Sequence, residues 1–319
     1  MIRFENVSKQ FDDGTVAVKP LNLAINKGEL FVLIGPSGSG KTTTLKMINR
    51  LITLSDGTIF INGKKISEYD IHELRWNIGY VLQQIALFPH MSVEENIAIV
   101  PEMQKWGKEK ISGKVDELLN MVGLDPNIYK HRKPHELSGG QQQRVGVVRA
   151  LAADPEIILM DEPFSALDPL SREKLQEDIV KLQKTIKKTI VFVTHDMQEA
   201  LKLGDRICIM KDGKIVQVGT PNELIHHPAN DFVKEFIGKA LPRDINFNME
   251  SLLSTNKENH MEEKVFVIPA TSSLGQTLEA LSEQETIGVE KDGIMIGSLN
   301  RQSIIHYLAF NLKEGSNNE

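Results

Sequence analysis

An α/β fold built on a mainly parallel sheet, followed by a small α+β unit, is what this 319-residue sequence predicts. Three observations carry that expectation. Short apolar, β-branched runs alternate with stretches of helical periodicity. A mostly helical segment interrupts the strand pattern between Ser92 and Asp154. After about Ile237 the composition shifts to Asn, Glu, Lys and Ser, and apolar patterning resumes only at Val265.

The elements follow in order. Leu30-Phe31-Val32-Leu33-Ile34 has no polar residue and stops at Gly35, as a strand buried on both faces does. A helix is expected over Thr43 to Asn49. Val93, Ile97, Val115, Leu118, Leu119 and Val122 recur at helical spacing and define an insert at about 84–156. Ile157-Ile158-Leu159-Met160 and Ile190-Val191-Phe192-Val193 repeat the buried-strand pattern and end in polar or charged residues. Ligands of open parallel sheets bind beyond the carboxyl ends of strands, so the chemistry is expected at those endings.

The expected organisation is a first domain over 1–240, a linker over 241–263, a second unit over 264–312 and a tail over 313–319. The second unit reads as a strand from Val265, a Thr271-Ser272-Ser273 helix cap, and a helix carrying Leu274, Leu278 and Leu281. Two strands flank an Asp292-Gly293 turn, and a last helix holds Ile304, Ile305 and Leu308. A unit of roughly fifty residues has a marginal core, so pairing with another copy is expected.

Composition narrows the function classes. A 40% hydrophobic and 25% charged chain is that of a soluble globular protein. The net charge of −6 gives no bulk attraction to nucleic acid. The single cysteine, Cys208, lies in the apolar run Ile207-Cys208-Ile209-Met210 and reads as a small buried strand residue. No secretory leader pattern opens the chain, and no run approaches the ~18 apolar residues of a membrane helix. A role at a membrane would therefore require another chain to span it.

Gly35-Pro36-Ser37-Gly38-Ser39-Gly40-Lys41-Thr42-Thr43 fits G-x-x-x-x-G-K-[ST], the phosphate-binding loop. A glycine-rich turn alone would look the same, but here a strand precedes it and a helix follows. The glycines let successive N–H groups face phosphate oxygens, and the helix start adds partial positive charge. Lys41 is expected on the β- and γ-phosphates, and Thr42 on Mg²⁺. Asp161 and Glu162 follow the run ending at Met160. Asp161 is the candidate Mg²⁺ ligand and Glu162 the group that orients and polarises the attacking water.

Leu137-Ser138-Gly139-Gly140-Gln141-Gln142-Gln143-Arg144 opens a helical run through Ala150 and offers a second anion site at a helix start. Here the sequence resembles the ABC ATPase family, over Ile2 to about Ile237, because this signature stands between the phosphate loop and the Asp-Glu pair. The resemblance implies a nucleotide-binding cassette: a mainly parallel sheet, an antiparallel β subdomain and the helical insert. It implies that Ser138, Gly139, Gly140 and Gln141 face the phosphate loop of a second cassette, so that ATP lies between the two members of a homodimer. By the same resemblance Phe11 stacks on adenine, and Gln83 touches Mg²⁺ and water. Asp168, in Ser165-Ala166-Leu167-Asp168, belongs to the loop between protomers, and His195 contacts the γ-phosphate. No catalytic position departs from the family pattern.

Two classes compete within the family: an importer subunit and a soluble ATPase of translation, repair or chromosome organisation. The single cassette without a coiled-coil insert, and Leu87-Phe88-Pro89-His90-Met91-Ser92-Val93 after Gln83, are similar to importers. Met47 to Leu51, Ala200 to Arg206 and Pro228 to Val233 resemble the quaternary-amine group, which takes up glycine betaine, carnitine or choline. An importer of another small solute, such as a polyamine or amino acid, is the alternative. The resemblance implies integral-membrane permease partners, an extracytoplasmic substrate-binding protein or domain, and a peripheral place on the cytoplasmic membrane face. Val265 to Leu308, with Gly297-Ser298-Leu299 before the last helix, looks like one CBS motif. Such motifs usually work in pairs and sense ionic strength or a regulatory nucleotide. The acidic residue that often binds ribose is replaced around Ser303, so the unit reads equally as a dimerisation appendage.

Overall fold

A strand with no polar face has to be covered on both sides, and Leu30–Ile34 is buried at every position. The computed structural model describes residues 1–165, 167–238, 249–253, 266–272, 274–291 and 293–305. It divides into two compact units, Met1–Ala240 and Leu241–Glu319.

In the first unit β1 (Ile2–Gln10) and β2 (Val16–Ile25) pair antiparallel, then β3 (Leu30–Ile34) leads into α1 (Lys41–Ile48). β4 (Asp56–Ile61) and β5 (Lys64–Lys65) complete a four-stranded antiparallel sheet in the order β2-β1-β4-β5. Leu21, Leu23 and Ile25 are buried while Asn22 and Ala24 are exposed, the alternation of a sheet with one wet face. α2 (Ile71–Trp76) precedes β6 (Ile78–Val81). The helical insert follows as α3 (Val93–Met103), α4 (Lys108–Met121), α5 (Pro126–Tyr129) and α6 (Gly139–Leu151). Ser92 and Glu95 close a capping box at the start of α3. The periodic residues Val93, Ile97, Val115, Leu118, Leu119 and Val122 are all buried, as their spacing predicts.

The rest of the unit alternates: β7 (Ile157–Asp161), α7 (Pro169–Ile186), β8 (Thr189–Thr194), α8 (Met197–Leu203), β9 (Arg206–Lys211), β10 (Lys214–Gly219), α9 (Pro221–His226) and α10 (Asp231–Gly238). The main sheet has the order β10-β9-β3-β8-β7-β6, parallel throughout except for the β9–β10 pair. Its register sets Ile34 opposite Thr194, Asp161 opposite Val193, and Val81 opposite Met160. The carboxyl ends of β3, β8, β7 and β6 therefore come out level at one edge. One buried cluster unites Phe31, Leu33, Leu159 and Val193 of this sheet, Leu45 and Ile48 of α1, and Ile2 and Phe4 of the antiparallel sheet. Cys208 is fully buried opposite Leu33, and burial pushes its thiol up to about 12.

In the second unit β11 (Val267–Pro269), α11 (Leu274–Glu283), β12 (Thr286–Lys291) and β13 (Ile294–Asn300) precede a helical segment at 301–305. β11 and β12 are parallel, β12 and β13 antiparallel. Leu274, Leu281, Ile287, Val289, Leu299 and Ile304 share a core with Ile268 and Met249. Two expectations are corrected here. Met249, with Leu252 and Leu253 beside it, packs into this core although the stretch 241–263 reads as linker. A four-residue turn is too short to show a period, so its apolar residues vanish among polar neighbours. Leu278, expected on the apolar face, is 41% exposed. Ala166, Ala240, Val265, Ser273, Asp292 and Leu308 lie outside the described residues.

Candidate functional site

The level strand ends converge on one cleft of about 520 Å³, lined by Ser37 to Thr43, Gln83, Glu162, His195 and Thr15 to Ala17. The loop after β3 has room only for glycine at two places. A Cβ on Gly35 would meet the Met210 carbonyl oxygen at 2.0 Å, and one on Gly40 would meet that of Ala17 at 2.5 Å. Gly40, at φ 95°, is also the residue that starts α1. The helix therefore begins at Lys41, two residues ahead of the expected Thr43. Its first-turn N–H groups lack intrahelical acceptors and point their partial positive charge out of the helix start.

Lys41 is buried, and its Nζ donates to the carbonyls of Gly35 at 2.8 Å and Pro36 at 2.9 Å. Burial lowers its pKa, opposed by the charges of Glu162 and Asp161. The ammonium is thus folded across the loop, inside the turn that runs from Gly35 to Gly40. Ser39 Oγ lines the same cleft, is buried, and has no hydrogen-bond partner among the described residues. A helix start, a buried ammonium and an unpartnered hydroxyl around one cleft fit a polyphosphate, whose oxygens accept from all three.

Thr42 Oγ1 donates to Asp161 Oδ1 at 2.8 Å, and the Asp161 carboxylate is 4% exposed. Tyr80, on β6, donates to Asp161 Oδ2 at 3.4 Å, and Lys46 Nζ stands 3.9 Å from the same oxygen. Burial, and then the Asp161 charge, raise the Tyr80 pKa, which keeps its hydroxyl a donor. A hydroxyl on the cleft wall with a carboxylate bonded directly behind it suits Mg²⁺, which takes one or two protein oxygens and completes its shell with phosphate oxygens and water.

Glu162 follows β7 with φ 46°, and its N–H donates to the Val193 carbonyl at 3.0 Å. That left-handed step turns the side chain into the cleft. Glu162 Oε2 accepts from Gln83 Nε2 at 3.2 Å and lies 3.1 Å from His195 Nδ1. The chain thus brings Lys41, Thr42, Asp161, Glu162, Gln83 and His195 together.

Ser37 to Gly40 and Thr43 line the same cleft, whereas Phe11, Gly35, Pro36, Ser138 to Gln141 and Asp168 do not. Ser138 caps α6: its Oγ accepts from Gln141 N at 3.3 Å and its N–H donates to Gln141 Oε1 at 2.9 Å. Gly139 and Gly140 form the first turn of that helix. Asp168 caps α7, accepting from Ser171 N at 3.0 Å; the side-chain and backbone bonds from Ser171 lower its pKa. Phe11 carries a 38% exposed residue surface, with Lys9 Nζ 5.1 Å above its ring. Gly35 and Pro36 act through their carbonyls on Lys41. Sequence reasoning missed Tyr80, Lys46 and the Thr15 to Ala17 wall. The run Ile78-Gly79-Tyr80-Val81, just before Gln83, is the signal that would have placed Tyr80 on a neighbouring strand.

The family described as ABC transporter matches residues 18–165. The chain is 50% identical over 307 residues to the glycine betaine/carnitine/choline transport ATP-binding protein OpuCA of Bacillus subtilis (strain 168), covering 95% of this chain and 79% of that protein. It is 60% identical over 239 residues to the choline transport ATP-binding protein OpuBA of the same organism, covering 75% of this chain and 62% of the relative. The chain thus spans less than two thirds of that second relative. Among solved structures it is similar to the dimeric structure of MJ0796, a bacterial ABC transporter cassette, at 38% identity and a TM-score of 0.63. That match covers 69% of this chain and 99% of the cassette.

Proposed function

The chain belongs to the ABC transporter family, and we propose that it is the ATP-binding and hydrolysing subunit that powers import of quaternary-amine osmoprotectants such as glycine betaine, carnitine or choline. The observation that carries the catalytic half is the meeting of Gln83 and His195 on one oxygen of Glu162, in a cleft that the phosphate loop also lines. The solute class is supported by the names of the relatives that match most of this chain.

The loop from Gly35 to Thr43 holds the triphosphate through its N–H groups and Ser39. Lys41 exchanges the Gly35 and Pro36 carbonyls for phosphate oxygens, a swap favoured because a buried ammonium gains more from an anion than from two neutral acceptors. Thr42 and Asp161, with Gln83, would hold Mg²⁺, whose charge would balance that of the phosphate oxygens. Glu162 draws a proton from a water whose oxygen bonds to the γ-phosphorus as the bond to the β–γ bridging oxygen breaks, leaving ADP and phosphate. Gln83 aims that carboxylate, and His195 contacts the γ-phosphate.

Ser138, Gly139, Gly140 and Gln141 close the corresponding site of a second cassette, and Asp168 lies at the seam between the two. Phe11 presents its exposed ring to adenine. No helix among the described residues is long and apolar enough to cross a membrane. We assign that task to permease subunits, with this chain peripheral on the cytoplasmic face and a solute-binding protein or domain outside.

The test is uptake of radiolabelled glycine betaine, carnitine, choline, a polyamine and an amino acid at high external salt, with and without a functional gene. Loss confined to the quaternary amines is the expected result. Loss confined to the polyamine or amino acid would transfer the assignment to that solute.

A further inference from the structure

His195 is 64% exposed at its side chain, so its ring is not held by packing. Its neighbours in sequence are held tightly instead. Thr194, the last residue of β8, is 2% exposed; its hydroxyl accepts from the Asp196 N–H at 3.0 Å and donates to Glu199 Oε2 at 2.5 Å. Asp196 caps α8 by accepting from the N–H groups of Gln198 and Glu199. The residues on either side of His195 are therefore bonded to each other, and the pair is anchored on Glu199.

Glu199 is 6% exposed, and a carboxylate that dry is tolerated only with a partner. Burial raises its pKa, opposed by the Thr194 bond. It occupies the third position of α8, where a glutamate ordinarily reaches back to the N–H of its own cap. Glu95 and Glu223 do so at the starts of α3 and α9. Glu199 forgoes that bond and turns to Thr194. It lines a small cavity of about 50 Å³ with Glu162, Thr194, His195 and Arg172. Arg172 in turn donates to the Leu167 carbonyl at 3.3 Å.

We infer that Glu199 is a positioning residue for hydrolysis: through the Thr194 hydroxyl it sets the turn that lays His195 against Glu162. The inference rests on the ATPase reading of the cleft. Either protonation state of Glu199 leaves an oxygen to accept from Thr194, and so does a glutamine. The hydroxyl, and an acceptor facing it, are what the turn requires.

The test is steady-state ATP hydrolysis by the purified full chain carrying Glu199→Leu, Glu199→Gln, Thr194→Val or Thr194→Ser, with Glu162→Gln as reference. Glu199→Leu and Thr194→Val are expected to lower kcat about tenfold with KM for ATP within about twofold, and the double variant to be no slower than either alone. Glu199→Gln and Thr194→Ser are expected to recover most of the rate. Should Glu199→Leu fail to fold, the Thr194 pair decides the matter alone. Unchanged kcat in Glu199→Leu and Thr194→Val, losses that multiply in the double variant, or a Glu199→Gln as slow as Glu199→Leu would overturn the inference. A Glu162→Gln that hydrolyses ATP normally would instead strike at the reading of the cleft itself.

Discussion

Thr42 Oγ1 and Asp161 Oδ1 share a 2.8 Å hydrogen bond across 119 residues of sequence. One stands in the first turn of α1, the other is the last residue of β7, and neither strand nor helix alone could place it. The sheet register does so, by ending β3 and β7 level on either side of β8. The pair is thus fixed by the sheet itself and not by either element's own sequence.

Removing the carboxylate charge of Glu162 isolates its part in the reaction. Glu162→Gln is expected to bind ATP normally and to hydrolyse it ~10²–10⁴-fold more slowly, the range for loss of a general base. The ATP-bound dimer should then accumulate on size-exclusion chromatography. Near-normal turnover would refute the role.

The helix cap at Ser138 lies away from the cleft of its own chain, so damage there should spare nucleotide binding to the monomer. Ser138→Arg is expected to abolish hydrolysis and ATP-dependent dimerisation while monomer affinity stays within about threefold, because the phosphate contacts of the loop are untouched. Equilibrium binding of a fluorescent nucleotide and light scattering read the two effects. Full activity of this variant would refute a site shared between cassettes.

Cys208 offers a pH-dependent probe of the main sheet. Burial raises its pKa from 9.0 to about 12, so the folded state holds the proton more tightly than the unfolded chain. Its share of stability is therefore complete below pH 9 and is lost as pH climbs toward 12. At pH 8 the native protein should leave an aromatic disulfide reagent uncoloured for hours, and the guanidinium-unfolded chain should release one equivalent of thiolate at once. Rapid labelling of the native state would contradict the burial.

A stop codon after Ala240 tests what the second unit contributes. We expect basal ATP hydrolysis of the shortened chain to remain within about twofold of the whole, since the first unit has its own core and cleft. Transport in vesicles with the native permease should lose its response to ionic strength or to cyclic di-AMP. Identical responses of both proteins would leave the unit a structural appendage.

The strands that matter most could be read directly, because Leu30 to Ile34, Ile157 to Met160 and Ile190 to Val193 have no polar face to obscure. The phosphate loop, Asp161 and Glu162 follow from where those runs stop. β1 was harder: its register slips between Phe4 and Val7, which breaks the alternation a sequence pattern depends on. The run around Tyr80 marks a strand, but its pairing with β7, and so the contact with Asp161, exists only in space. The carbonyl bonds of Lys41 are a choice among several reachable partners, and a motif cannot rank them. Glu199 is the subtlest case, since a glutamate in the first turn of a helix looks like an ordinary capping residue. Met249 went unread for the opposite reason, being a lone apolar residue in polar company.

The distance between the phosphate loop and the Ser138 cap within one polypeptide has a genetic corollary. A site shared between two copies of this chain, as proposed above, would make a defective allele harmful beyond its own share of the protein. With equal expression of sound and damaged chains and random pairing, only about a quarter of the pairs are intact on both sides. A lesion at Lys41 or Ser138 should thus behave as dominant in a merodiploid cell. A lesion that prevents folding, and so never reaches a partner, should be recessive.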